Sequence, residues 1–146
     1  MGPEQVFLVC NNGVLPAWLL LAVAPGWRFT QRLVHALWIP ALLALVYVWA
    51  FATGTTPEDG DFFTLAGVMA LFTSPHAMLA GWVHYLAFDL FVGAWEVRDA
   101  RRHGIHHAFV VPCLFFTLML GPVGLLLYLG VRFALTRETS LEEAPA

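Results

Sequence analysis

Charge is what this sequence has least of. Only 12% of its 146 residues are Asp, Glu, Lys or Arg, while 60% are apolar and the mean hydropathy is +0.74. A soluble domain of this size carries roughly a quarter of its residues as charges, so an ordinary water-soluble domain is excluded and lipid becomes the expected solvent around a single domain. Lysine is absent, all seven cations are arginines, no basic run exceeds Arg101-Arg102 and the net charge is −3, which excludes a nucleic-acid surface. Cysteine is scarce too. Cys10 and Cys113 each lie in apolar sequence, which argues against a disulfide framework or a cysteine-based metal site. Residues 1–5 carry no positive side chain, and the apolar run after them contains Asn11, Asn12 and Pro16 without a small-residue cleavage pattern, so the first segment reads as retained. Val6 stands where a myristoylation signal needs Ser or Thr, and Glu143 where a prenylation signal needs Cys. A bacterial inner membrane is the expected location.

What is present is a series of long apolar stretches. Four approach the roughly 20 residues needed to cross a bilayer: 6–24, 33–52, 75–95 and 108–131, followed by a polar tail, 132–146. A fifth, 62–72, is too short to cross and predicts an interfacial or re-entrant helix before the third span. With no alternating strands, the expectation is an all-α integral membrane bundle of four transmembrane helices forming one domain. Loop arginines set its orientation. Arg28 and Arg32 after the first span, and Arg98, Arg101 and Arg102 after the third, mark one side as cytoplasmic and place both termini on the other. The third helix is the best delimited, with Ser74 as N-cap, Pro75 in the first turn and Gly104 past the end. Gly121-Pro122-Val123-Gly124 predicts a bend in the fourth.

Sixteen of the seventeen charged residues lie outside the four spans; Asp89 lies inside the third. At about 100° per residue, Met78, Trp82, Tyr85, Asp89, Gly93, Glu96, Ala100 and His103 fall within roughly 40° of one line. A carboxylate near the bilayer centre costs about 2.5–3.5 kcal/mol, so this stripe is expected to face the bundle interior. There Asp89 is either a proton donor or acceptor toward a ligand, with Trp82 and Tyr85 beside it, or a polar tie between helices. His84 lies about 140° away from Asp89 and groups with Phe88, as a neighbour-bonded histidine or part of a site. Asn11 and Asn12 suit bonds across helices. His103, His106 and His107 resemble one box of the membrane di-iron desaturases and hydroxylases. Those enzymes use several boxes, whereas this chain has six histidines and one cluster, so interfacial histidines beside arginines are the preferred reading and no metal is assigned. The aromatic belts of a membrane protein account for most of the tryptophans.

Gly81-Trp82-Val83-His84-Tyr85-Leu86-Ala87-Phe88-Asp89-Leu90-Phe91-Val92-Gly93, with Arg98-Asp99, Gly104-Ile105, Val111-Pro112-Cys113 and residues 121–128, resembles the abscisic-acid-deficient-four-like membrane family. The resemblance also takes in Asn12 and Leu15-Pro16-Ala17-Trp18; His106 departs from the Pro that the family favours. Plant members are implicated in making neoxanthin from violaxanthin. The resemblance therefore implies a four-helix membrane protein that acts on or binds carotenoids. Conversion of an epoxy-carotenoid to an allenic alcohol is redox-neutral and calls for a general acid and a general base without an obligatory cofactor. Asp89 is then the candidate acid, His84 or Glu96 the base or orienting group, and Trp82, Tyr85, Asn12, Trp18 and Phe88 the candidate ligand contacts. The implied partners are a carotenoid or other long apolar ligand and the bilayer, with self-association left open. A non-enzymatic carotenoid- or lipid-binding accessory protein is the alternative, and a di-iron oxygenase a third.

Overall fold

The apolar, strand-free pattern folds as helices throughout. A computed structural model of the protein describes residues 1–36 and 38–140, and among these there are eight α-helices and no strand. They are α1 (Pro3–Gly13), α2 (Leu15–Val23), α3 (Arg28–Leu33), α4 (Trp38–Thr53), α5 (Leu65–Leu71), α6 (Pro75–Arg102), α7 (His107–Leu120) and α8 (Pro122–Thr136). Among the described residues, three runs are long and apolar enough to cross a membrane: Pro3–Val23, Arg28–Thr53 and Pro75–Arg102. The chain divides into two compact units, Met1–Phe91 and the residues from Val92 onward, with α6 contributing to both.

In the first unit, Val14 separates α1 from α2 because Pro16 supplies no amide proton, and the break leaves Val14, Ala17, Trp18 and Leu21 buried. The segment between the second and third runs contains α5, seven residues long, where a short non-spanning helix was expected. Thr64 caps it, its hydroxyl accepting from the Gly67 amide at 3.0 Å. Within α6, Leu79, Val83, Leu86 and Leu90 repeat at helical spacing and are all buried, which makes this face the unit's apolar seam. The helix ends as the sequence predicts. Gly104 takes φ +65, and the Ile105 amide reaches back to the Ala100 carbonyl at 2.8 Å.

The second unit departs from the expected single span over 108–131. That stretch is two helices of 14 and 15 residues, α7 and α8, joined at Gly121. A continuous helix would carry Arg132 roughly 38 Å from His107 at 1.5 Å per residue. Instead the Arg132 guanidinium lies 3.1 Å from Nε2 of His103, so the chain has reversed. The predicted bend is a hairpin turn. Gly121 adopts φ 43, which a side chain resists, and Pro122 opens the new helix without an amide proton to satisfy. At Gly124 the backbone of α8 runs directly against that of Thr117 on α7. The hairpin also moves the tail: Glu138 contacts His103, at the end bearing Arg101 and Arg102 rather than at the opposite end.

Because a methyl group at Gly124 would overlap the Thr117 backbone, which cannot rotate away, Gly124→Ala is expected to destabilise the hairpin by about 1–3 kcal/mol. Gly130→Ala, facing open space on the same helix, is expected to be neutral or to gain up to about 1 kcal/mol. Unfolding of the two variants in detergent, followed by circular dichroism, measures the contrast.

Candidate functional site

Small residues on facing helices leave room where large ones would close it. In the first unit, Ala50 on α4 and Ala77, Ala80 and Gly81 on α6 border a cavity of about 320 Å³. Its walls are aromatic: Tyr47 and Phe51 from α4, with Phe62 and Phe72 flanking α5. The imidazole of His84, projecting from α6, is the ionisable nitrogen group among the lining residues, and Tyr47 brings a phenol. The two rings face each other with centroids 6.0 Å apart and planes inclined by 50°. Phe88, one turn along α6, also meets the His84 ring, with centroids 4.5 Å apart and planes inclined by 37°. The arrangement is a mostly apolar chamber with an imidazole and a phenol approaching each other from two helices, the usual make-up of a small-molecule site.

The loop between α4 and α5 borders the same cavity through Gly54, Thr55, Thr56 and Gly60. Asp61 holds its far end. One carboxylate oxygen accepts from the amides of Phe63 at 2.7 Å and Thr64 at 2.8 Å, and the Thr64 hydroxyl donates to the other at 3.1 Å. The Thr64 and Phe63 amides favour the ionised carboxylate and hold Asp61 below the ordinary carboxylate range. The group is a stronger acid folded than unfolded, so its contribution is complete above the ordinary carboxylate range and is lost as pH falls through the lowered value. Hydrogen exchange at the Phe63 and Thr64 amides, corrected for intrinsic rates, is expected to accelerate on such acidification. The same acceleration is expected at neutral pH in Asp61→Ala.

The opposite flank of α6 carries the polar stripe. The Trp82 indole donates to the Asn11 side-chain oxygen on α1 at 3.1 Å, and its ring meets Phe7 at 5.6 Å and Tyr85 at 5.4 Å. The Tyr85 hydroxyl donates to Asp89. Asp89 is half-buried, and its Oδ2 is enclosed without a hydrogen-bond partner. The structure therefore brings Trp82, Tyr85 and Asp89 together as the helical spacing implied. It does not bring Asp89 to His84: the residues lining the cavity include His84 and not Asp89.

Glu96 belongs to the second unit, where it is fully buried and accepts from the Thr117 hydroxyl at 2.9 Å. Around it lies a network that the stripe only partly foreshadowed. Asp99 accepts from the Tyr128 hydroxyl at 2.5 Å and pairs with Arg132 Nε at 2.9 Å, and Arg132 is only 2% exposed. The same guanidinium donates to the carbonyls of Glu138 and Ser140 at 3.2 and 2.8 Å. His103 places Nδ1 2.8 Å from the Asp99 carbonyl and Nε2 3.1 Å from Glu138. His106 caps α7, its Nδ1 accepting from the Ala108 amide at 3.3 Å. Two histidines of the iron-box-like string thus have places in this network and in a helix cap.

The other expected ligand contacts separate. Asn12 donates to the Leu8 carbonyl of its own helix at 2.8 Å, so the bond across helices belongs to Asn11. Trp18 is 5% exposed in the core, whereas Phe88 is exposed and packs its ring, tilted, against His84. Sequence reasoning missed Tyr47 and Arg132. Tyr47 carries no sequence signal beyond a phenol in an apolar run. Asp99, which pairs with Arg132, and Tyr128, which donates to Asp99, stood among the motif residues.

A family model described as ABA DEFICIENT 4-like matches residues 5–128. The chain belongs to the ABA DEFICIENT 4-like family. No curated protein and no solved structure matches it. The part shared with the ABA DEFICIENT 4-like model includes Tyr47, His84, Asp89, Asp99 and Tyr128; Arg132 and the tail that it holds lie beyond.

Proposed function

We propose that this chain is a membrane-embedded carotenoid-modifying isomerase, and that the reacting end group of the polyene enters the cavity at His84. The observation that carries the proposal is an aromatic-walled cavity within an apolar helical unit, bordered by an imidazole from α6 and a phenol from α4. At about 320 Å³ it falls at the lower end of the usual ligand range of roughly 300–1,000 Å³, suited to a terminal ring with the remaining chain lying along lipid-facing helix. The carotenoid class comes from family membership and the resemblance on which it rests.

The chemistry balances with these two groups. The Tyr47 hydroxyl gives its proton to the epoxide oxygen as the carbon–oxygen bond breaks. His84 takes a proton from the polyene carbon whose C–H electrons become part of the new double bond. Proton return from the imidazolium to the phenolate restores both groups, and no electrons leave the substrate. A carotenoid-binding accessory role is favoured by the aromatic lining alone, and one experiment separates the two. When the chain is expressed in a bacterium that makes an epoxy-carotenoid, extracts are expected to contain an isomeric pigment. Unchanged pigment co-purifying with the protein supports binding without conversion. A methyl at Gly81 would press on the Phe72 ring, so Gly81→Ala is expected to push that ring into the cavity and lower the yield at least several-fold in a folded protein.

A further inference from the structure

The α7–α8 hairpin has charge at one end only. Arg98, Arg101 and Arg102 leave the last turns of α6, and Arg132 and Arg137 leave the end of α8, which returns beside His103. Between them, residues 108–131 contain no charged side chain, and the Gly121 turn is entirely apolar apart from its backbone. The outward faces are apolar as well: Phe115, Phe116 and Met119 on α7, and Leu126, Leu127 and Phe133 on α8, are all exposed. Water would penalise such a surface. The two legs, 14 and 15 residues long, reach only about 21–23 Å at 1.5 Å per residue, against about 30 Å of hydrocarbon.

We propose that the hairpin is a re-entrant insertion seated among the acyl chains of one leaflet, entering and leaving on the cytoplasmic side. Backbone hydrogen bonding permits this, because each leg is helical and the turn packs Gly124 against Thr117. The arginines fix the side, since membrane orientation follows Lys and Arg near the ends of apolar segments while acidic residues such as Glu138, Glu142 and Glu143 contribute little. The consequence reverses the orientation expected for the tail: residues 137–140 lie on the cytoplasmic side, at the same face as Arg101. The function proposed above is independent of this placement.

Membrane-impermeant maleimide applied to spheroplasts and to inverted vesicles tests it, with the wild-type chain as background because Cys10 and Cys113 are buried. Arg101→Cys and Thr139→Cys are expected to react in inverted vesicles and not in spheroplasts. Val123→Cys, at the turn, is expected to resist both and to react after denaturation; a bimane attached there is expected to be quenched by acyl-chain doxyl lipid. Labelling of residues 101 and 139 from opposite sides overturns the hairpin's return, and labelling of both from outside overturns its orientation. A Val123 site that reacts from outside shows a crossing. Protection without quenching shows that a second copy, not lipid, covers the turn, and equally overturns the proposal.

Discussion

Replacing Arg132 with leucine is expected to destabilise the second unit by about 3–5 kcal/mol, the usual effect of removing one partner from a buried ion pair. The guanidinium is 2% exposed and serves four acceptor positions: Asp99, His103 and the carbonyls of Glu138 and Ser140. Leucine matches its apolar stem and none of these contacts. Asp99, itself buried, then keeps the Tyr128 hydroxyl but loses the guanidinium that pairs with it. Arg132→Lys is expected to recover part of the loss, since an ammonium keeps the charge but cannot span the same acceptors. In Asp99→Asn combined with Arg132→Leu the cost is expected to fall below the sum of the single changes, because neither charge is stranded. Chemical unfolding in detergent, read by far-ultraviolet dichroism, gives the four values. Additive losses would mean that the pair is incidental to the hairpin.

Replacing His84 has a different expected signature. The side chain is exposed to its cavity and makes ring contacts with Tyr47 and Phe88, so His84→Gln is expected to leave folding nearly unchanged. Its effect falls on conversion, by about 10²- to 10⁴-fold if the imidazole transfers a proton in the rate-limiting step. Tyr47→Phe keeps the ring that lines the cavity and removes only the hydroxyl, so a loss of similar size identifies the phenol as the acid. Both variants are expected to retain bound pigment, since the aromatic walls stay in place.

The parts of this fold that follow local rules were legible in the sequence. Pro75 and Gly104 bracketed α6 because a proline tolerates only the first turn and a glycine readily takes positive φ. The face shared by Trp82, Tyr85 and Asp89 followed from helical geometry. Gly121-Pro122-Val123-Gly124 announced a break but not its angle. A bend and a reversal use the same residues, and only the approach of Gly124 to Thr117, between two helices, decides for reversal. Arg132 was hidden for the same reason: near the end of an apolar run an arginine reads as a loop charge, and its burial follows from the return of α8 to Asp99.

The site divides similarly. His84 was correctly set on a different face from Asp89, but the wall opposite His84 comes from α4, at a sequence distance that no periodicity within α6 can cross. Asp89 drew attention as the sole charge within the expected spans, yet the cavity is lined by the other face of the helix. Scarcity of charge pointed to a helix long and apolar enough to cross a membrane. It gave no sign of the cavity on that helix's other face.

The central claim is that conversion occurs at the imidazole and phenol of the cavity. Pigment analysis by chromatography, in an epoxy-carotenoid-producing bacterium expressing wild type, His84→Gln and Asp89→Asn at matched protein levels, tests it most directly. The account predicts an isomeric pigment in the wild type, its loss in His84→Gln and its retention in Asp89→Asn. Loss in Asp89→Asn with full conversion in His84→Gln would contradict it and move the reaction to the Tyr85 face of α6.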